Sequence, residues 1–229
     1  PDAALSLSTD YSATVKGGAN GVKDAAGNAL ASDVTWTFTT AATDACAGPA
    51  NPIVAENCLA GNPPAEWDIS GAGDPTIQGF ATDISVNRGE IVDFKIDTNA
   101  SDYRLDIYRM GYYAGDGARK VATVLPSAAL PQTQPACLED SPTGLIDCGN
   151  WAVSASWSVP VDAASGIYFA KVVREDTGGA SHIVFIVRDD AGSSEMLFQT
   201  SDTTWQAYNT WGGNSLYTGT GPGTGGGAD

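Results

Sequence analysis

The side chains best suited to line a site lie close together near the end of the chain. Residues 199–217, QTSDTTWQAYNTWGGNSLY, are rich in aromatic and amide groups. A ring with one polar end usually lies where an apolar surface meets water, so we expect these side chains to cover a seam between domains or to line a site. The candidates are Trp205, Gln206, Tyr208, Asn209 and Trp211.

The four cysteines form two local pairs, Cys46/Cys58 and Cys137/Cys148. Neither pair has the CxxC spacing and His182 is the only histidine, so a zinc site is poorly supported. Two disulfides that close short loops are favoured, although four cysteines also allow two crossed connectivities. Disulfides persist in oxidising compartments, and the pattern therefore predicts an extracellular or cell-surface protein.

Other groups that could do chemistry have simpler interpretations. His182 lies in SHIVFIV, a strand-like pattern, which favours a structural histidine over the base of a Ser/His/Asp triad. Asp24 and Asp116 lie in glycine-containing turns, but neither matches the dense acidic pattern of a calcium loop. Turn capping is the favoured role for both aspartates. We therefore predict no catalytic residue in this chain.

The charge balance excludes several classes of function. Asp and Glu number 27 against 11 Lys and Arg, which gives a formal net charge of −16. This field repels phosphate backbones, so we expect no nucleic-acid partner. No apolar run approaches the roughly 18 residues of a membrane span, so we expect no membrane insertion.

Residues 1–40 contain two strand-like stretches joined by a turn. DYSATV alternates, with Tyr11, Ala13 and Val15 on one side, and VTWTFT places Val34, Trp36 and Phe38 inward in the same way. The turn between them contains Asp24, Gly27 and Asn28, residue types that cap tight turns and accept positive φ. Two strands do not make a domain, and residues 1–40 are predicted to be the second half of a small β domain whose first strands are missing.

The remaining chain divides by composition into four parts. Residues 41–75 lack any sustained period and are predicted to be a linker pinned by Cys46 and Cys58. Residues 76–190 contain seven short, alternating stretches typical of an antiparallel Ig-like β-sandwich. Residues 191–217 are predicted to open a further domain, and residues 218–229 are a Gly-rich tail. The fold class is all-β. The predicted core positions are Tyr103, Leu105, Ile107, Ile167, Phe169, Val184 and Ile186.

The first region, predicted over residues 1–40 and matching over about residues 5–40, resembles the C-terminal half of a bacterial Ig-like domain of secreted and surface-layer proteins. Members of that family carry further strands before the first one seen here. The matching residues are Tyr11–Val15, Val22–Leu30 and Trp36–Thr40.

Residues of about 76–217 resemble the large subunit of N,N-dimethylformamidase and related secreted proteins. The matching residues are Ile77–Phe80, Val86–Glu90, Tyr103–Tyr113 with Gly115, Gly117, Ala118 and Arg119, Ser165–Tyr168, Phe185–Asp190, Thr204–Asn209 and Trp211–Gly213. The resemblance implies a following α/β domain in which tyrosine and glutamate side chains hold one iron ion that activates water against an amide. It places Tyr208 at the active-site end of the first strand of that domain, as a candidate metal ligand. Because the other ligands are missing, it implies a fragment without bound iron and without activity.

Three functions are compatible with these patterns. The first is a non-catalytic spacer or assembly segment of a large secreted or cell-surface protein, with neighbouring copies completing the half-domain by strand complementation. The second is the N-terminal region of a secreted metal-dependent amidohydrolase, whose partners are other domains of the same protein. The third, suggested by the abundance of Trp and Tyr, is a carbohydrate-binding module.

Overall fold

The computed structural model describes residues 4–41, 44–194 and 196–218. The chain divides into two compact units, Pro1–Cys58 and Leu59–Asp229. No helix in the described residues is long and apolar enough to cross a membrane. Of the predicted Gly-rich tail, all but Thr218 lies outside the described residues.

Unit 1 is built on one antiparallel hairpin, β1 (Asp10–Val15) and β2 (Val34–Thr39). In β1 the predicted alternation is confirmed, since Tyr11, Ala13 and Val15 are half-buried while the residues between them are exposed. The prediction that β2 directs side chains into a core is wrong, because every residue of β2 is exposed, with Trp36 at 49%. Within residues 4–41 and 44–58, the part of unit 1 that the structure describes, no further strand covers that face.

The turn predicted between the two strands has the capping expected of it. The Asp24 carboxylate accepts hydrogen bonds from the backbone N–H groups of Ala26, at 2.9 Å, and Asn28, at 2.8 Å. Gly27 adopts a φ of 85°, which a side chain would disfavour. These bonds help to hold the pKa of Asp24 below its ordinary value. The largest cause is a further hydrogen bond, which the side-chain amide of Asn28 donates to Asp24.

Residues 41–75 show no sequence period, yet the structure places two short helices there. Helix α1 (Pro52–Asn57) begins at Asn51, whose side chain accepts a hydrogen bond from the Val54 N–H. Helix α2 (Pro64–Trp67) belongs to unit 2. Proline at the start of each helix supplies a suitable φ where no N–H partner is needed. The Cys46–Cys58 disulfide, with Cα atoms 5.5 Å apart, ties the end of α1 back to the preceding loop.

The strands of unit 2 are β3 (Ile77–Ala81), β4 (Ser85–Asn87), β5 (Ile91–Thr98), β6 (Tyr103–Met110), β7 (Ala118–Val124), β8 (Leu138–Asp140), β9 (Leu145–Asp147), β10 (Ala155–Ser158), β11 (Gly166–Arg174) and β12 (Ala180–Arg188). Except for β8 and β9, they form a sandwich of a three-stranded and a five-stranded sheet, ordered β10-β5-β3 and β4-β12-β11-β6-β7. The strand pairs of these two sheets are antiparallel except β4 with β12. Residues 77–81 and 85–87 belong to different sheets, because the chain crosses between layers at residues 82–84.

The core between the sheets contains three of the seven predicted positions. Tyr103, Leu105 and Ile107 of β6 are fully buried. In β11 the residues facing this core are Tyr168, Ala170 and Val172, while Phe169 is buried on the opposite face. Two central strands therefore carry apolar residues on both faces. Such strands cannot be assigned a single inward face from alternation alone.

Val184 was predicted as a core residue, and this prediction is wrong. Its side chain is 48% exposed because it lies on the outer face of β12, whereas Ile183 and Phe185 face the core. Ile167 and Ile186 are only partly buried. Since side chains in a strand alternate with a period of two, a one-residue error in register exchanges the two faces.

The outer face of the five-stranded sheet is covered in part by residues 62–68. The Trp67 ring packs on Phe169, with ring centroids 6.1 Å apart, and its indole N–H donates to the carbonyl oxygens of Asn62 and Asp116. The Lys171 ammonium donates to the Glu66 carbonyl oxygen at 2.9 Å. These contacts explain why Phe169 is buried without facing the main core.

The connection between β7 and β10, residues 125–154, contains a small hairpin, β8 paired with β9. The Cys137–Cys148 disulfide, with Cα atoms 4.4 Å apart, closes its base. After β12 the segment predicted to start with a strand instead forms helix α3 (Asp202–Tyr208) and a 3-10 turn, Trp211–Gly213. Residues 196–201, before α3, form neither a helix nor a strand.

Candidate functional site

An open groove of about 690 Å³ lies beside β3 of unit 2. Residues 78–84 line one side as a consecutive run, and residues 181–184 of β12 line another. Further lining comes from residues 146–149, from Trp151 and from residues 196–218, which we call the C-terminal segment. We call this site the edge groove. Its volume falls in the range of about 300–1,000 Å³ that is typical of ligand sites, which makes it the candidate site.

Three aromatic rings form one wall of the edge groove. The Phe80 and Trp151 centroids are 5.8 Å apart, and Trp151 meets Trp211 edge to face at 5.9 Å. The indole N–H of Trp211 donates to Gln78 Oε1 at 3.0 Å, and that of Trp151 donates to the Pro135 carbonyl oxygen at 2.9 Å. Each tryptophan ring therefore has a fixed orientation, which lowers the entropy lost when a ligand packs against it.

Strand pairing explains why Phe80 is available to this wall. Phe80 pairs with Lys95 of β5, and Gln78 pairs with Asp97. The residues of β5 that alternate with these partners, such as Phe94 and Ile96, are buried in the core. Gln78 and Phe80 therefore project from the outer face of the three-stranded sheet, towards Trp151 and Trp211.

The charged groups of the edge groove are predominantly acidic. The Asp147 carboxylate accepts a hydrogen bond from the Gly149 N–H at 2.7 Å, and Asp83 accepts one from the Thr82 hydroxyl at 3.0 Å. The single lysine of the lining, Lys95, donates to the Gly149 carbonyl oxygen at 2.8 Å. Two carboxylates against one ammonium, in a chain with a net charge of −16, favour a neutral or cationic ligand.

The structure separates the five candidates of the C-terminal segment into two groups. Gln206, Asn209 and Trp211 line the edge groove. Trp205 and Tyr208 do not belong to its lining, and both are largely exposed. The same three groove residues also line a second cavity, of about 460 Å³, against the β8–β9 hairpin.

Tyr208 does not stand at the end of a strand, as the resemblance implied, but is the last residue of α3. Its ring stacks on Tyr217 with centroids 4.5 Å apart and is 63% exposed. Residues 196–218 contain no glutamate, and Asp202 is their single acidic residue. The described residues contain no cluster of three or more His, Cys, Asp or Glu side chains. The oxygen-rich ligand set that iron requires is not formed by these residues, so they do not fit the metal.

His182 has the structural role that its strand pattern predicted. Its ring lies 4.5 Å from the Phe169 ring, and its Nε2 is 2.7 Å from the Trp67 carbonyl oxygen. Burial is the largest cause that lowers the pKa of His182, partly opposed by the bond to Trp67. A histidine held neutral against an aromatic ring, and bonded to backbone, connects the 62–68 segment to β12.

An ion network centred on the buried Asp106 lies outside the groove. Asp106 is 3% exposed and pairs with Arg104 at 2.9 Å and Lys120 at 2.5 Å, while Thr123 donates to it at 2.9 Å. Burial alone would raise the pKa of Asp106, but these bonds outweigh it and lower the pKa. All four residues lie on β6 and β7, so the network connects these two strands and leaves no buried charge unpaired at Asp106.

Sequence reasoning missed several groove residues, among them Gln78, Phe80, Asp147 and Trp151. The sequence places Phe80 in a strand but does not predict on which face of the sheet its side chain lies. Trp151 lies in the irregular connection between β7 and β10, where no periodicity predicts the direction of its side chain. One signal was present, since the Cys137/Cys148 pair brackets residues that end beside Trp151. The distance in sequence between β3, β9 and Trp211 hides their proximity in space.

Comparison with known proteins gives two family matches. The N,N-dimethylformamidase beta subunit-like, C-terminal family matches residues 104–228, more than half of the chain. A bacterial Ig-like domain family matches residues 1–40. No curated protein matches the chain. A solved structure of an uncharacterized protein from Bacillus anthracis str. Ames is similar over 47% of this chain and 82% of that chain, with 13% identity and a TM-score of 0.31, too low to support an argument.

Proposed function

Because this chain belongs to the N,N-dimethylformamidase beta subunit-like, C-terminal family, we propose that it is a non-catalytic region of a secreted amidohydrolase. In this proposal the sandwich of unit 2 carries the C-terminal segment and holds it in the position where the catalytic domain of the same protein packs. The two disulfides support an extracellular location. Iron, which the family resemblance implies, belongs in this proposal to the parent protein.

The observation that carries the proposal is the contrast between the two ends of the C-terminal segment. Its later part is anchored to the sandwich, through Trp211 on Trp151 and through the Asn214 amide, which donates to the Gly144 carbonyl oxygen at 3.3 Å. Near its beginning, Leu197 is 94% and Phe198 78% exposed.

Apolar side chains exposed next to each other are unfavourable in water, at about 25 cal/mol for each Å² left uncovered. Contiguous exposed apolar groups therefore mark interaction surfaces. The family match runs without a break from β6 of the sandwich through this segment, which supports a partner within the same protein.

Hydrogen exchange in the parent protein and in this 229-residue chain tests the proposal. The backbone amides of residues 202–208 are expected to exchange more slowly in the parent protein, because the catalytic domain covers them. Leu197→Asp combined with Phe198→Asp should remove that protection in the parent. Val161→Asp, at a residue exposed to 78% elsewhere in unit 2, is the matched control and should not change it. Equal exchange in both proteins, or hydrolysis of an amide by this chain alone, contradicts the proposal.

A second candidate function, assembly through unit 1, is favoured by the exposed β2 strand. Val34, Trp36 and Phe38 form one apolar row on a hairpin that has no covering layer within the described part of unit 1. A strand from a neighbouring copy would cover that row and complete the half-domain. Sedimentation of the chain over a range of concentrations tests this function. A monomer at all concentrations contradicts it.

A further inference from the structure

The edge groove lies between two strand edges that have no paired strand among the described residues. Strand β3 is the last strand of its three-stranded sheet, with β5 on one side only. In the other sheet β4 pairs with β12 only over Ile186–Arg188, so the described residues provide no paired strand for residues 181–184 of β12 on that side. Residues of both open edges line the groove.

The alternation of hydrogen bonds along β3 shows which of its backbone groups face the groove. The Thr82 N–H donates to the Asp93 carbonyl oxygen at 2.9 Å, and bonded pairs alternate in an antiparallel ladder. Phe80 and Gln78 lie two and four residues before Thr82, so their backbone N–H and C=O groups also bond to β5. Gly79 and Ala81 therefore direct their N–H and C=O groups away from β5.

The hydrogen bonds of β12 alternate in the same way and show which of its backbone groups face the groove from the opposite side. The Ile186 N–H donates to the Ile84 carbonyl oxygen at 2.9 Å, and the Ala180 carbonyl oxygen accepts from the Asp74 N–H at 2.9 Å. Both bonds lie on the side away from β11. His182 and Val184, which lie between them, therefore direct their backbone groups towards the open edge.

From this geometry we propose that the edge groove binds an extended peptide, which adds to β3 as a fourth strand of the three-stranded sheet. The N–H and C=O groups of Gly79 and Ala81 supply the hydrogen bonds. An unpaired edge strand is a template for such pairing, and addition of a strand is a recurring mode of peptide recognition. This proposal does not rest on the proposed function of the whole chain.

The surroundings of β3 define the side chains of the peptide. Every second side chain of an added strand lies on the outer face, next to Phe80 and in reach of the wall formed by Trp151 and Trp211. A long basic side chain suits this wall, because its apolar stem packs on the rings and its charge interacts with their faces. Asp147 and Asp83 provide the opposite charge. The ligand is therefore a peptide with Lys or Arg at alternate positions.

The probe for this proposal is the acetylated and amidated heptapeptide TKVKVKT, in which the lysines share one face and the valine and threonine residues favour the extended state. Titration into the ¹⁵N-labelled chain should shift the amide resonances of Gly79 and Ala81. A peptide of equal charge, N-methylated at alternate backbone amides, controls for non-specific attraction to the acidic chain. It should bind at least about tenfold more weakly, since it lacks one or more hydrogen bonds.

Ala81→Pro is the decisive variant, because it removes an N–H that points into the groove and leaves the β3–β5 bonds of Phe80 and Thr82 in place. It should weaken binding by about tenfold. Ala81→Ser keeps the N–H and is the matched control. If Ala81→Pro fails to fold, Asp147→Asn replaces it and should weaken binding of the lysine peptide, but not of a peptide with norleucine in place of lysine.

Three results would overturn the proposal. The first is the absence of shifts at Gly79 and Ala81 at about 1 mM peptide, the weak end of specific affinities. The second is equal affinity for the N-methylated peptide. The third is binding of a neutral oligosaccharide such as cellohexaose at Trp211 without any response to the peptide, which would assign the groove to sugars.

Discussion

Unit 1 and unit 2 both contain antiparallel strands, yet they differ in what covers those strands. In unit 2 two sheets enclose a core in which Phe94, Tyr168 and Phe185 are almost fully buried. In unit 1 the β1–β2 hairpin leaves Trp36 and Phe38 exposed, although Tyr11 stacks on Phe38 at 5.9 Å. A correct strand pattern therefore does not ensure burial. A second layer does, because burial of one sheet face requires another surface.

The largest effect that this comparison predicts lies in the core of unit 2. Ile107→Ala should lower the free energy of unfolding of unit 2 by about 2–5 kcal/mol, since Ile107 is fully buried and the substitution leaves a cavity. Val184→Ala, in the same sheet but on the exposed face, should cost less than about 1 kcal/mol. Urea denaturation with tryptophan fluorescence measures both. Similar losses for the two variants would mean that the assigned register of the sheet is wrong.

The two disulfides should have effects confined to different units. Replacement of Cys137 and Cys148 by Ser should lower the stability of unit 2 by about 3 kcal/mol, because the reduced chain regains the entropy of a loop of about a dozen residues. Replacement of Cys46 and Cys58 by Ser should leave unit 2 unchanged, since that bridge lies within unit 1. Differential scanning calorimetry of the two double variants checks this. A loss in unit 2 from the second variant would show that the units do not unfold independently.

A smaller effect should distinguish the two units by the pH dependence of their stability. Burial lowers the pKa of His182 in the folded chain. Between this folded-state pKa and the unfolded-state pKa near 6.5, the unfolded chain therefore binds more protons than the folded chain. Unit 2 should therefore be fully stabilised above about pH 6.5 and lose stability as the pH falls below it. His182→Phe, which keeps the ring on Phe169, should flatten this dependence between about pH 7.5 and 5.5. An unchanged slope would assign the dependence to other groups.

The smallest effect is expected from the hairpin. Trp36→Ala should change the unfolding free energy of unit 2 by less than about 0.5 kcal/mol, because Trp36 is exposed and lies in the other unit. In a dilute monomer the amides of residues 34–38 should exchange rapidly, because an isolated two-stranded hairpin is marginally stable in water. Slow exchange there would contradict both the comparison and the assembly function.

The sequence was most informative where a pattern is local. The Asp24–Asn28 turn, the alternation of β1, the two short-range cysteine pairs and the buried face of β6 all depend on residues close together in the chain. The family resemblance was equally accessible, because an ordered set of short motifs survives in the sequence. Each of these features is fixed by backbone geometry or by loop length, which a single stretch of residues determines.

Tertiary structure decided the features that depend on which surfaces meet. It placed Val184 outside and Ile183 inside, a choice that alternation leaves open in a strand with apolar residues on both faces. It turned residues 202–208 into a helix where a strand was expected, and it brought β3, Trp151 and Trp211 together around one groove. The sequence by itself determined the alternation of β1, the Asp24–Asn28 turn and the short spacing within each cysteine pair, because their physics is local. Only packing determined the burial of each face and the groove, since both depend on contacts between residues far apart in the chain.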